Sequence, residues 1–255
     1  MTEIGFVDVA ISLSLVAVAF VVSRFWKVPV QKEMSLGVVR AFVQLVAVGY
    51  ALEKIFAIDQ IWLIALVMLV MLAVGAREAS VRTKKLSGAF WLAFSSMTTG
   101  SVLTLAIMLA TGLFELKAVI IIPLIGMLVS NSMNAATHTI NRLYENLTDN
   151  RLAVETALAL GKNWREASQR FRRQAATAGM VSIFNFMKTV GIVALPGAMT
   201  GMILAGKDPL EAALFQLIIG YMLLSAVTLT VVMVLELTVR RFFTPHDQFR
   251  PPVRL

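Results

Sequence analysis

Few side chains in this sequence could do chemistry, and their spacing limits what that chemistry could be. His138 and His246 are the only histidines, over a hundred residues apart, with no His-x-x-x-His pair or carboxylate triad around them. Cysteine is absent. Disulfides and thiolate metal sites are therefore excluded, and neither a zinc site nor an intramembrane hydrolase finds its ligands. Gly201-x-x-x-x-Gly206-Lys207 imitates the start of a phosphate-binding loop, but Asp208 stands where Ser or Thr would hold magnesium, and its carboxylate would repel phosphate. The stretch also ends an apolar helix rather than a strand, so the chain is not expected to hydrolyse ATP by itself. His138 reads as an interfacial residue. The fourteen methionines read as adaptable filler at helix interfaces rather than as soft-metal ligands.

Polar residues inside long apolar stretches carry more information, because lipid makes them costly. Arg40 and Gln44 stand one helical turn apart on the same side of such a stretch. An arginine at mid-membrane costs ~2.5 to 3.5 kcal/mol on an insertion scale unless it is satisfied. Gly126, Ser130 and Asn134 form a second stripe of small or polar residues, with Asn131 beside it. Two readings fit this stripe: close helix packing through small residues and interhelical hydrogen bonds, or a substrate path. Gly197-x-x-x-Gly201 favours close helix approach in the same way. Lys188 is expected to snorkel to the cytosolic surface, and Glu236 to pair locally with Arg240 four residues on. No other carboxylate stands well inside an apolar span, and proton-coupled pumps normally need one there.

The elements that position these residues follow from composition. With 58% hydrophobic and 15% charged residues and a mean hydropathy of +0.79, the chain is too apolar for a soluble domain. It reads as an all-α, polytopic transmembrane helical bundle forming one permease domain over residues 1–255. The stretch Met1-Thr-Glu3 lacks a basic leader, so the first span is expected to stay. About seven spans are expected: Phe6 to Val22, Ser35 to Ala51, Ile61 to Ala76, Leu86 to Leu109, Ala118 to Ala136, a sixth reaching Ala205, and Ala212 to Val239. A short acidic loop with Glu53, Lys54 and Asp59 would join the second and third. Leu195-Pro196-Gly197 is expected to break or kink the sixth span, with Pro196 and Gly197 as a hinge.

Charge sets the orientation. Eighteen of the 23 Lys and Arg residues fall in segments that this count places on one side, among them Arg77, Arg82, Lys84 and Lys85, whereas only Lys54, Lys117 and Lys207 fall on the other. The N-terminus is thus expected outside and the C-terminus in the cytoplasm of an inner, or plasma, membrane. The formal net charge of +8 is a matter of topology rather than of nucleic-acid binding, since the basic residues are scattered between spans. Lipid is the expected surrounding partner.

One long polar segment, Thr137 to Ala178, interrupts this pattern. Ile140, Leu143, Tyr144, Leu147, Val154 and Leu158 continue a helical stripe to Gly161, which suits a C-terminal cap. Asn163 and Glu166 form a capping box for a second helix carrying Trp164, Phe171 and Ala175 on one face. This predicts a cytosolic helical hairpin of residues 137–178 that contacts a partner; a solvated linker is the plainer alternative.

Over most of its length the sequence resembles the FetB-type permeases of bacterial iron-export ABC transporters, whose plant relatives are aluminium-tolerance permeases. The resemblance rests on Arg40-x-x-x-Gln44-Leu45-x-x-Val48-Gly49-Tyr50, on Ile122-Pro123-x-x-Gly126-Met127 with Asn131-x-Met133, and on Leu158-x-Leu160-Gly161. It is strongest at Lys188-Thr189-Val190-Gly191, Leu195-Pro196-Gly197-x-Met199-x-Gly201 and Ala205-Gly206-x-Asp208-Pro209. Glu155-x-Ala157-x-x-x-Gly161 is similar to the loop by which many ABC permeases dock on their ATPase, although Arg173-Gln174 stands where that pattern ends in Leu-Pro. The resemblance implies a non-catalytic permease that works as a homodimer with separate ATPase subunits, which hold the ATP and magnesium; this chain would carry no cofactor. Iron or a related metal species is the implied cargo. Glu155, Ala157, Leu160, Gly161 and Trp164 would couple to the ATPase, and Arg40, Gln44, Gly126, Ser130, Asn131 and Asn134 would line the path. The alternatives are a secondary transporter or channel without an ATPase, and an ABC permease for a sugar-nucleotide or a lipid.

Overall fold

The computed structural model describes residues 5–83 and 86–251. Residues 1–4, Lys84 and Lys85 of the expected basic loop, and the tail beyond residue 251 lie outside the described residues. Among the described residues the chain is all-α: α1 (Phe6–Phe25), α2 (Gln31–Ile58), α3 (Ile61–Arg82), α4 (Ala89–Ala110), α5 (Ala118–Asp149), α6 (Arg151–Ala159), α7 (Trp164–Thr189), α8 (Gly197–Leu204) and α9 (Pro209–Val239), with a 3-10 turn over Arg240–Phe242.

The chain divides into two compact units, one ending at Ile58 and the other beginning at Asp59. In the first, α1 and α2 pack on each other, yet only Ser23 is buried. Apolar side chains such as Leu15, Val21, Val39 and Leu45 remain exposed. Water would penalise such a pair, whereas lipid accepts it. In the second unit α5 and α9 form the central pair, with α3, α4 and α7 packed around them and α8 resting on α9. Its core is fully apolar at Ile121, Ile125, Leu128, Ile140, Leu143, Ile219 and Val231. Small residues allow the closest approaches. A Cβ added at Gly100 of α4 would meet Thr230 Oγ1 at 2.3 Å and the Ala226 carbonyl of α9 at 2.6 Å.

Among the described residues six helices are long and apolar enough to cross a membrane: α1, α2, α3, α4, α5, and α9 continued to Phe242. The expected sixth span is not a seventh such helix. Its first half is the arginine-bearing α7, which stops at Thr189, and a non-helical link precedes α8. The break begins before Pro196. Gly191 takes φ +82, and the Thr189 carbonyl accepts from the amides of Ile192, Val193 and Ala194, while Gly191 N donates to Ala194 O at 2.9 Å. These bonds turn the chain out of the helix, and Pro196 then serves as the N-cap of α8 rather than as a kink within a continuous rod. Between the break and α9 lies a cavity of about 280 Å³, lined by residues that include Phe186, Met187, Met199 and Gln216.

The link between α2 and α3 also differs from expectation. Glu53 and Lys54 belong to the last turns of α2, which leaves only Asp59 and Gln60 as connection. Asp59, at φ +43, accepts from the Ala118 amide at 2.6 Å, so a carboxylate satisfies an orphan donor at the positive end of α5. In the link between α4 and α5, a hydrogen bond and ion pair at 2.5 Å lower the Glu115 carboxyl and raise the Lys117 ammonium from their ordinary values. Both are exposed, so the pair contributes little to stability.

Candidate functional site

The hairpin end is built as its sequence dictates, with one addition. Helix α5 runs unbroken from the apolar span into the polar segment as far as Asp149, and Asn150 separates it from the short α6. Helix α6 ends in the cap that Gly161 permits: Lys162 N donates to Ala157 O at 3.1 Å and Gly161 N to Leu158 O at 2.9 Å, with Gly161 at φ +86. The capping box follows, Glu166 N donating to Asn163 Oδ1 at 3.0 Å and Asn163 N to Glu166 Oε2 at 3.3 Å. Val154 is fully buried and anchors α6, whereas Leu152 and Leu160 are 78% and 77% exposed. The two leucines stand at opposite ends of α6 and expose apolar surface there, of which sequence reasoning had noted only Leu160. Glu155 is occupied by Arg151 at 2.7 Å.

Trp164 turns toward its own chain. Its ring meets Phe243 at 6.1 Å with the two planes tilted by 37° and lies under the guanidinium groups of Arg165 and Arg172, at 5.1 and 5.9 Å. Those two arginines also reach Glu236 of α9. Arg172 pairs with it at 2.8 Å, Arg240 at 2.9 Å as its spacing predicted, and Arg165 at 3.8 Å. One carboxylate therefore joins the start of α7 to the end of α9. Beneath it the chain closes on itself: Phe242 is fully buried, its ring meets Tyr144 and Phe249, and Arg250 N donates to its carbonyl at 2.7 Å. The long-range arginine contacts carry no sequence signal, because no spacing rule links residues 172 and 236.

The polar stripe on α5 divides in two. Gly126 faces the side chain of Met71 on α3, 3.6 Å from where its Cβ would sit, and Ser130 bonds back to Met127 O at 3.2 Å. Asn131 and Asn134 instead join His138, with Ala135 between them, against Gly179, Ser182 and Ile183 of α7 and Val227 of α9, around a cavity of about 10 Å³. Gly179 makes this seam possible, since a Cβ there would meet Thr139 Oγ1 at 2.0 Å. Asn131 Nδ2 donates to Met127 O at 2.9 Å, and Asn134 Oδ1 accepts from Arg82 at 3.4 Å. The period of α5, which puts 131, 134 and 138 on one face, signals the α5 side of this seam, whereas nothing in the sequence brings Ser182 to it. Arg40 and Gln44 lie exposed on α2, with no hydrogen-bond partner among the described residues. No group of three or more His, Cys, Asp or Glu among the described residues could hold a metal ion.

Comparison with known proteins places these features in a lineage. Residues 6–243 match the group described as "Uncharacterised protein family (UPF0014)". The chain is 34% identical to the "UPF0014 membrane protein YjkA" of Bacillus subtilis, over 96% of its own length and 98% of that protein. It is also 34% identical to the "Probable iron export permease protein FetB" of Escherichia coli, over 94% and 93%, and 32% identical to "Protein ALUMINUM SENSITIVE 3" of Arabidopsis thaliana, over 98% and 91%. No solved structure matches. A match spanning both units, together with near full-length relatives, leaves one conclusion: the chain belongs to the UPF0014 family of membrane proteins.

Proposed function

We propose that this chain is the permease subunit of an ATP-driven transporter that exports iron or a related metal species and is powered by a separate ATPase subunit. The observation that carries the reading is the short α6 with its cap at Gly161, whose Leu152 and Leu160 are exposed while Glu236 ties the neighbouring α7 to α9. A partner pressing on α6 would move a helix of the bundle core. A relative named as a probable iron export permease supports the choice of cargo. In this reading two copies of the chain assemble with two ATPases in the inner membrane, the hairpin and C-terminus are cytoplasmic, and ATP and magnesium stay on the partner. Pro196 and Gly197, where the link after Thr189 enters α8, are the proposed hinge.

Proteoliposomes containing the chain are expected to accumulate Fe²⁺ with ATP only when the cognate ATPase is present. Gly161→Val, which forces a β-branched residue to positive φ, and Trp164→Ala are expected to abolish co-purification of the ATPase while membrane insertion persists. Wild-type co-purification of both variants would end the docking hypothesis.

The path is proposed on the ground of burial cost. Asn131 and Asn134 stand on the α5–α7 seam, and Arg40 and Gln44 are assigned to transport separately, since an unpaired arginine in an apolar helix needs water. Arg40→Gln and Asn131→Leu are each expected to lower transport while ATPase binding continues, and cysteines placed at these positions should react with water-soluble thiol reagents. Cysteines unreactive in every nucleotide state would assign these residues to packing instead.

A further inference from the structure

We infer that Asn131, Asn134, His138 and Ser182 form a transient coordination site for one divalent transition-metal ion. The four side chains line a single cavity of about 10 Å³, roughly the room of one water-sized body. Its other walls are Ala135, Gly179, Ile183 and Val227; Asn134, His138 and Ser182 are exposed and Asn131 is half-buried, so an ion held there keeps part of its water.

Each donor has a free end. Asn131 spends its Nδ2 on the Met127 carbonyl, which fixes the amide and leaves Oδ1 as its remaining acceptor. Asn134 Oδ1 receives only the long contact from Arg82, beyond the usual range of an N–H···O bond. The His138 imidazole and the Ser182 hydroxyl have no hydrogen-bond partner among the described residues. One imidazole nitrogen with three neutral oxygens suits iron(II), cobalt(II) or nickel(II). Magnesium dehydrates reluctantly and prefers carboxylates and water. The absence of a carboxylate makes the site weak, and Arg82, held by Glu78 at 3.2 Å, competes with a cation for Asn134. A site of this kind lets an ion leave as readily as it arrives, which serves passage rather than storage. The inference relies on the transport reading for its purpose, whereas the donor set stands without it.

Co²⁺ tests it, since its visible absorption reports nitrogen and oxygen ligands. The full chain, untagged, in lipid nanodiscs and without ATPase, is expected to bind one Co²⁺ per chain, displaced by Fe²⁺ or Ni²⁺ but not by excess Mg²⁺. His138→Ala and Asn131→Leu are expected to weaken Co²⁺ at least about tenfold, Arg82→Gln to strengthen it, and His246→Ala to leave it unchanged. Carbethoxylation of the wild-type chain provides a check independent of any variant: Co²⁺ should protect His138 and not His246. Unaltered binding in His138→Ala, equal displacement by Mg²⁺, or no protection of His138 would each overturn the site. ATP-driven iron transport that persists in His138→Ala with wild-type Co²⁺ binding would remove the site and keep the transporter; Co²⁺ binding as expected without ATP-driven transport would do the reverse.

Discussion

Gly100→Val is expected to be the most destabilising single change in the bundle. Its first added carbon would lie 2.6 Å from the Ala226 carbonyl and 2.3 Å from Thr230 Oγ1. A backbone oxygen cannot swing aside as a side chain can, so α4 must part from α9. Overpacking of this kind costs about 1–3 kcal/mol, and the two further methyl carbons of valine place the variant at the upper end or beyond. Thermal unfolding of the purified protein in detergent measures the effect. Alanine sharpens the test, since it gains about 1 kcal/mol over glycine in helix propensity. Gly100→Ala should still lose stability through the clash, whereas Gly126→Ala, whose nearest neighbour is the flexible end of Met71 at 3.6 Å, should lose none. Equal behaviour at the two positions would show that the α4–α9 contact is not as close as described.

Glu236→Gln is expected to have the next largest effect, because a single carboxylate holds three guanidinium groups. The Arg172 pair is the strongest, with both side chains 28% exposed; Arg165 and Arg240 are above half exposed and contribute less. Loss of the charge should cost about 2 kcal/mol, the range for hydrogen bonds to charged groups, and should leave like charges facing one another. Arg172→Gln added to Glu236→Gln is expected to restore part of the loss, a non-additivity of about 1–3 kcal/mol for residues in one network. Additive unfolding data would mean that α7 and α9 are not joined through this acid.

Much of this architecture was legible because lipid imposes simple rules. Apolar runs located five of the crossing helices from about Phe6 onward and the sixth in α9, and Gly161, Asn163 and Glu166 marked the hairpin turn through backbone chemistry that depends on near neighbours alone. The division of the sixth expected span was harder to place. Pro196 was the visible signal, yet the helix ends at Thr189, where one carbonyl collects three amides, and no residue type announces that choice. The seam around His138 was partly legible in the spacing of α5, but Ser182 contributes from another helix, and only the docking of α7 through Gly179 brings it there. Contacts between distant segments, such as Arg172 with Glu236, depend on which helices pack together.

The interruption after Thr189 also leaves a helix end whose charge suits the lysine that stands there. Lys188 is exposed near the end of α7. It occupies the last turn, where the amides of Gly191 and Ile192 bond instead to Ala194 and Thr189. The carbonyls of Met187 and Lys188 are therefore left without helical donors. The peptide dipoles of α7 sum to about half a negative charge at that end. A cation in that last turn is favoured by the dipole, whereas an uninterrupted helix would have placed the same lysine beside backbone groups already spent on one another.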